Sequence, residues 1–288
     1  MQNLDEHSIT HAVLRSHADT ANPRLKQIFD SLITHVHAFA REVSLTEDEW
    51  LAAICFLTEV GHKSDDKRQE FILLSDTLGL SMLVTAMANR KPTECTEATV
   101  LGPFFVPGSP AVSNGGDVAQ GMPGEPIFVS GRVLGPQGEP VPGARVEVWQ
   151  ADADGLYDVQ YEKLEAPRGR AVLRSELDGS VEFWSIVPQP YPVPHDGPVG
   201  NMLKALGRHA WRPAHLHFMV FAEGYETLVT HVFRKGDPYL QSDAVFGVRS
   251  SLICDWVSYP PGIAPDGSVQ TTPFVTFAFD FVLAPVHA

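Results

Sequence analysis

The spacing of apolar residues changes character once along this chain, near residue 100, and that change limits the folds open to it. Before it, apolar side chains recur at three- and four-residue intervals. After Asn22-Pro23 they fall at Leu25, Ile28, Phe29, Leu32, Ile33, Val36 and Phe39, one face of an amphipathic helix. Thr46-Glu47-Asp48-Glu49 has the form of a capping box, with Leu45 and Trp50 placed as a hydrophobic staple. The helix it opens runs through Trp50, Leu51, Ile54 and Leu57 and is expected to stop near Gly61. A third helical stretch covers about Asp66 to Leu78, Gly79 interrupts it, and another apolar piece runs from Leu80 to Met87. Pro92 closes the region.

From Gly102 onward Gly and Pro are frequent and the period becomes two, the spacing of a half-buried strand. Strands are expected at Ile127–Leu134, Arg145–Gln150, Ala171–Glu176, Val181–Val187, Ala214–Phe221, Thr227–Phe233 and Phe274–Leu283, with turn residues between them. Many short strands joined by turns imply an antiparallel sandwich or barrel. The domain boundary is expected near residue 104, dividing helices in 1–104 from strands in 105–288. The proline-rich segment Pro188-Gln189-Pro190-Tyr191-Pro192-Val193-Pro194 fits neither class. It lacks ladder donors at its prolines and reads as a stiff, irregular loop.

Within this β region lies Arg212-Pro213-Ala214-His215-Leu216-His217-Phe218. On a strand, residues i and i+2 share a face, so His215 and His217 point together while Leu216 and Phe218 point into a core. Two imidazoles so placed are half of a metal site. His35 and His37 repeat the spacing within a helical pattern, where i and i+2 diverge, and are read as surface or packing residues. What would complete the site is not fixed by spacing. No acid neighbours the pair, and H-E-x-x-H is absent. Tyr157, after the turn Asp152-Ala153-Asp154-Gly155, and Tyr191, between prolines, are the remaining candidates; each alone also reads as a rim aromatic.

The net charge of −14, with no basic run, argues against nucleic acid or an anionic membrane surface as partner. Three scattered cysteines (Cys55, Cys95, Cys254) form neither a disulfide framework nor a zinc spacing and suit a reducing compartment. The N-terminus lacks signal-peptide character and no apolar run reaches membrane-spanning length, so a cytoplasmic location is expected.

Taken in order, Val148-Trp149-Gln150-Ala151-Asp152-Ala153-Asp154-Gly155-Leu156-Tyr157, then Val187-Pro188-x-x-Tyr191, then Gly207-Arg208-His209 and the H-x-H segment, resemble the intradiol ring-cleavage dioxygenases. The resemblance runs from about Asn22 to the last strand. Asp66-Lys67-Arg68-Gln69-Glu70-Phe71-Ile72-Leu73-Leu74-Ser75-Asp76-Thr77-Leu78-Gly79, Tyr191–Gly200 and Gly236–Val248 bring it nearest the hydroxyquinol-cleaving branch.

That resemblance implies an α+β, mainly β protein: an antiparallel β-sandwich catalytic domain behind an N-terminal helical dimerisation domain. It implies one iron(III) per subunit held by Tyr157, Tyr191, His215 and His217. Hard phenolate ligands suit a hard trivalent cation, and only such a cation keeps a group of pKa near 10 ionised. The implied substrates are a small aromatic diol or triol and O2, with Tyr191 and Arg212 acting in catalysis and His231 supporting the metal strand. Leu73, Asp76, Val100, Leu101, Pro192, Val193 and Val245 are the implied pocket wall, Asp76 being its polar member. A homodimer through the N-terminal helices, with lipid at the interface, is implied as well. Cleavage of catechol or chlorocatechol is the rival within the class. A rival of another class is a transthyretin-like binding module, to which Val129-Ser130-Gly131-Arg132-Val133 through Pro142-Gly143-Ala144-Arg145-Val146 is also similar.

Overall fold

The structure is a computed structural model that describes residues 3–66 and 68–286. Lys67, within one of the segments that carry the resemblance, lies outside the described residues. The chain separates into two compact units, Met1–Glu59 and Val60–Ala288. Helices α4 and α5 (below) thus belong to the same unit as the strands, although their sequence pattern groups them with the helices before them.

The first unit contains α1 (Ile9–Ser16), α2 (Pro23–Glu42) and most of α3 (Glu47–Lys63). Asn22 caps α2 by accepting the Leu25 N–H at 3.0 Å, with Pro23 in the first turn. The capping box of α3 forms: Thr46 Oγ1 accepts the Glu49 N–H and Glu49 Oε2 accepts the Thr46 N–H. Contrary to expectation α3 continues past Gly61 to Lys63, because a single glycine weakens a helix without ending it. Helix α1 was not anticipated from sequence. His35 and His37 diverge as expected, one bonded to the Ser31 carbonyl and the other to Thr10 Oγ1. The stripe from Leu25 to Phe39 remains exposed, with Leu25, Ile28, Phe29, Leu32, Val36 and Phe39 each 45–54% accessible.

In the second unit α4 (Glu70–Thr77) and α5 (Leu80–Ala88) meet at Gly79, whose φ of 75° is the left-handed conformation that breaks the run. The strands then follow: β1 (Pro126–Leu134), β2 (Arg145–Gln150), β3 (Arg170–Arg174), β4 (Ser180–Ile186) and β5 (Tyr191–Pro192). An unanticipated helix α6 (Pro198–Ala205) precedes β6 (Trp211–Arg212), β7 (His215–Phe221), β8 (Leu228–Arg234) and β9 (Ile253–Cys254). The chain finishes with β10 (Val257–Tyr259), the hairpin β11 (Gly262–Ile263) and β12 (Val269–Gln270), β13 (Phe274–Ala278) and β14 (Phe281–Val282). The expected final strand is therefore split in two.

One sheet runs β3-β2-β7-β8-β9; the other places β10, β13, β1 and β14 in line, with β4 also against β1. Val146, Val148, Leu216, Phe218 and Val220 from the first meet Val129, Val133, Phe183, Phe277 and Phe281 from the second in a shared core. This is a sandwich, and each such side chain buried is worth about 1.5–3 kcal/mol. Most pairs are antiparallel as expected, but β1 pairs β13 and β14 in parallel, and β8 pairs β9 in parallel. These pairs join strands far apart in sequence, where no tight turn imposes antiparallel order. Among the described residues no single helix is long and apolar enough to cross a membrane.

Candidate active site

Strand β7 lies between β2 and β8, and its register sets the site. His217 pairs with Trp149 on one side and His231 on the other. The His217 ring stacks on Trp149 at 4.7 Å and meets His231 edge-on at 4.1 Å. His215 and His217 share a face as the alternation predicts, opposite Leu216 and Phe218 in the core. Their Nε2 atoms lie 3.1 Å apart. His215 Nδ1 donates to the Pro213 carbonyl at 2.7 Å, which leaves a bare lone pair on its Nε2.

The two tyrosines arrive on loops. Asp152 organises the first, its carboxylate accepting the backbone N–H groups of Asp154 and Leu156. Gly155 is required there twice over: its φ is 78°, and an added Cβ would lie 2.9 Å from Tyr191 Cβ. Tyr157 leaves this turn with its hydroxyl 2.8 Å from His217 Nε2 and 3.3 Å from the Tyr191 hydroxyl. The proline segment is not wholly irregular, because Tyr191-Pro192 pairs with Trp211-Arg212 as a short ribbon. That ribbon sets Tyr191 directly opposite Arg212. Phe104, which sequence reasoning missed, stacks on Tyr157 at 4.4 Å. Gly102 (φ 78°) brings the backbone so near His217 that an added Cβ would lie 3.3 Å from its Cε1.

Burial dominates the electrostatics. It pushes Tyr157 well above the usual phenol range, with Tyr191 adding to the effect. It lowers His215 to about 3, helped by Arg212, and holds His217 and His231 well below the usual imidazole range, helped by the neighbouring histidines. Three neutral imidazoles with ligand atoms within 4.8 Å of one another lie beside two buried phenols, and together they form a compact set of N and O donors. Two imidazole Nε2 atoms 3.1 Å apart, with a phenol oxygen 2.8 Å from one of them, are close-set N and O donors of the kind a cation takes, so the residues fit a metal site.

Arg212 is buried and stays charged. Burial alone would lower it, but the carboxylate of Asp243 and the nearby Tyr191 hold it above its ordinary value. Its Nη1 reaches Tyr191 Oη at 3.4 Å and His215 Nε2 at 3.3 Å, and its Nη2 lies 3.4 Å from His231 Nδ1. Asp243 stands in the quoted segment Gly236–Val248, but nothing in the sequence pairs it with Arg212.

A cavity of about 510 Å³ opens beside Phe104, lined by Leu73, Pro192 and Val193 of the expected wall together with Gly155, Leu156, Arg68 and His195. Asp76, Val100, Leu101 and Val245 do not line it. Asp76, Val100 and Val245 are buried, whereas Leu101 is 40% exposed. Asp76 is not a solvated helix-end carboxylate. Burial raises its pKa, and Arg212 and Asp243 lie close enough to act on it.

The model of the family described as "Dioxygenase" matches residues 100–285, and that of "Catechol dioxygenase N terminus" matches residues 22–96. The chain belongs to the intradiol ring-cleavage dioxygenases. It is 60% identical to 6-chlorohydroxyquinol 1,2-dioxygenase of Cupriavidus pinatubonensis over 99% of both chains. It is 53% identical to hydroxyquinol 1,2-dioxygenase of Nocardioides simplex, over 99% of this chain and 97% of that one. The crystal structure of hydroxyquinol 1,2-dioxygenase from Pseudomonas putida DLL-E4 superposes with a TM-score of 0.90 at 47% identity, covering 97% and 98% of the two chains. A dioxygenase carrying this buried donor set is an enzyme, and the reading as a transthyretin-like carrier falls.

Proposed function

We propose that this dioxygenase holds one iron(III) per subunit through Tyr157, Tyr191, His215 and His217. With O2 it would cleave hydroxyquinol (1,2,4-trihydroxybenzene) between adjacent hydroxyls to 3-hydroxy-cis,cis-muconate, the enol form of maleylacetate. Both oxygen atoms enter the product. The observation that carries the ligand set is the convergence of Tyr157 Oη, Tyr191 Oη and two Nε2 atoms within 2.8–3.3 Å of their neighbours in a buried pocket. The names of the relatives support the substrate. Bound iron(III) would supply Lewis acidity to the substrate oxygens.

The chain's own groups do the rest. Tyr191 Oη, 3.4 Å from Arg212 Nη1, would take a substrate proton. Arg212 keeps a fixed positive charge where negative charge builds on the ring, and burial strengthens its effect. His231 accepts from Arg212 and serves as a support to the site, which is why it is not counted among the ligands. The metal assignment is tested by purifying the protein and recording its visible spectrum beside a metal analysis. Phenolate-to-iron(III) charge transfer colours the protein red-brown with iron near one per chain; colourless protein loaded with zinc would refute it.

The 60% identical relative also favours a narrower second reading, in which 6-chlorohydroxyquinol is accepted. Rates on hydroxyquinol, its 6-chloro form, catechol and chlorocatechol separate these. We further propose a cytoplasmic homodimer in which residues 1–104 serve assembly and 105–288 catalysis, with Leu73 and Phe104 of the first span also lining the cavity. The exposed Leu25–Phe39 stripe of α2 would supply the interface and the apolar surface for bound lipid. Sedimentation should give a dimer at micromolar concentration. A monomer there, or a dimer unaffected by Leu32→Glu and Phe29→Glu, would remove the α2 interface.

A further inference from the structure

Arg212 has a long side chain, and a guanidinium is useful in a reaction only if its plane is fixed. The fixing partner is Asp243. Its Oδ1 accepts Nε of Arg212 at 3.0 Å and its Oδ2 accepts Nη2 at 3.2 Å, with both side chains 2% exposed. The same two oxygens are themselves held. Oδ1 accepts the Val245 N–H at 3.3 Å and Oδ2 accepts the Gly247 N–H at 2.9 Å. Between them Phe246 adopts a φ of 60°, uncommon for a residue with a side chain, so that both N–H groups can turn toward one carboxylate. Thr99 Oγ1 closes the loop by donating to the Gly247 carbonyl at 3.1 Å. Nη1, the one arm of the fork not given to Asp243, is the arm that reaches Tyr191 and His215.

We propose that Asp243 is the positioning residue of this reaction: it fixes the guanidinium plane of Arg212 and, through the Val245 and Gly247 amides, ties the loop that carries them to that charge. This rests on the reading of Arg212 as a catalytic group.

The test uses the iron-loaded enzyme and hydroxyquinol. Asp243→Asn keeps the shape but weakens the fork. It should lower kcat per bound iron about 10- to 100-fold, the cost of a misplaced catalytic group, while iron content and the charge-transfer band stay as in the parent. In an Arg212→Met background the same Asp243→Asn change should cost less than about twofold, because its effect passes through Arg212. A full additional loss in that background, or no loss in the parent, overturns the proposal. If Arg212→Met itself leaves kcat intact, the reading of Arg212 has failed and takes this proposal with it, a different result from Asp243→Asn being silent while Arg212→Met is crippling. Should Asp243→Asn not fold, Gly247→Ala serves, since the added Cβ would lie 2.9 Å from Arg212 Nη2 and 3.2 Å from Asp243 Oδ2. It should lower kcat with iron retained. Unchanged kcat in a folded Gly247→Ala enzyme would count equally against the clamp.

Discussion

His215→Ala, His217→Ala and Tyr157→Phe proteins should emerge from purification with metal at background level and no visible band, while His231→Gln should keep both. This is the largest effect we expect of any single change. Each of the first three removes one donor from a site whose phenol and imidazoles are driven toward neutrality by burial, and three donors grip a cation far less well than four. Tyr157→Phe is the cleanest of them, because it deletes one oxygen and leaves the stacked Phe104 contact in place. His231 differs. Its Nδ1 faces the Arg212 guanidinium, so its loss disturbs support, for which a cost of about 10- to 100-fold in metal affinity is usual. Geometry alone also permits a three-histidine site of His215, His217 and His231. Metal analysis decides between them: iron retained in Tyr157→Phe together with iron lost in His231→Gln would mean that the histidines hold the metal without the tyrosine.

The enzyme should prefer hydroxyquinol to catechol by at least ~10-fold in kcat/KM, and Asp76→Ala should erode that preference. The two substrates differ by one hydroxyl. An apolar wall cannot favour the extra hydroxyl, because burying it unpaired costs ~1–3 kcal/mol. A carboxylate that accepts it forms a charge-assisted bond, and ~1.4 kcal/mol of net advantage is a tenfold rate ratio. Asp76 sits three residues after Leu73 on α4, and both are buried. Its carboxylate is acted on by Arg212, the residue that faces Tyr191 and His215. With catechol bound the carboxylate would lack that partner, which widens the gap. The measurement is kcat/KM for both substrates on both proteins, with iron content as control. The mutant should lose chiefly on hydroxyquinol. Asp76 is buried outside the cavity lining, and an unchanged ratio would assign the preference to a residue that lines it.

Much of this protein was legible before any coordinates. Period-two spacing located β2 residue for residue and β7 to within one, and it aimed His215 and His217 the same way. The capping box placed the start of α3, and apolar spacing after Asn22-Pro23 placed that of α2. These features depend on neighbours two to four residues apart, and the chain carries such information locally. The resemblance added Tyr157 and Tyr191, which spacing alone left open.

What stayed hidden depends on contacts between distant residues. Asp243 lies 31 residues beyond Arg212, and no periodicity links a loop carboxylate to a strand-end arginine. Phe104 reaches Tyr157 across 53 positions of sequence (157 − 104), and Trp149 meets His217 only because β2 and β7 pair. The parallel return of β13 and β14 against β1 is set by the chain's path across the sandwich, and so is the grouping of α4 and α5 with the strands. Sequence determined which residues could bind a metal and which way each strand would turn them. Tertiary packing alone decided which donors met, because bringing their ligand atoms to 2.8–3.1 Å of one another required burial that only the assembled sheets and loops supply.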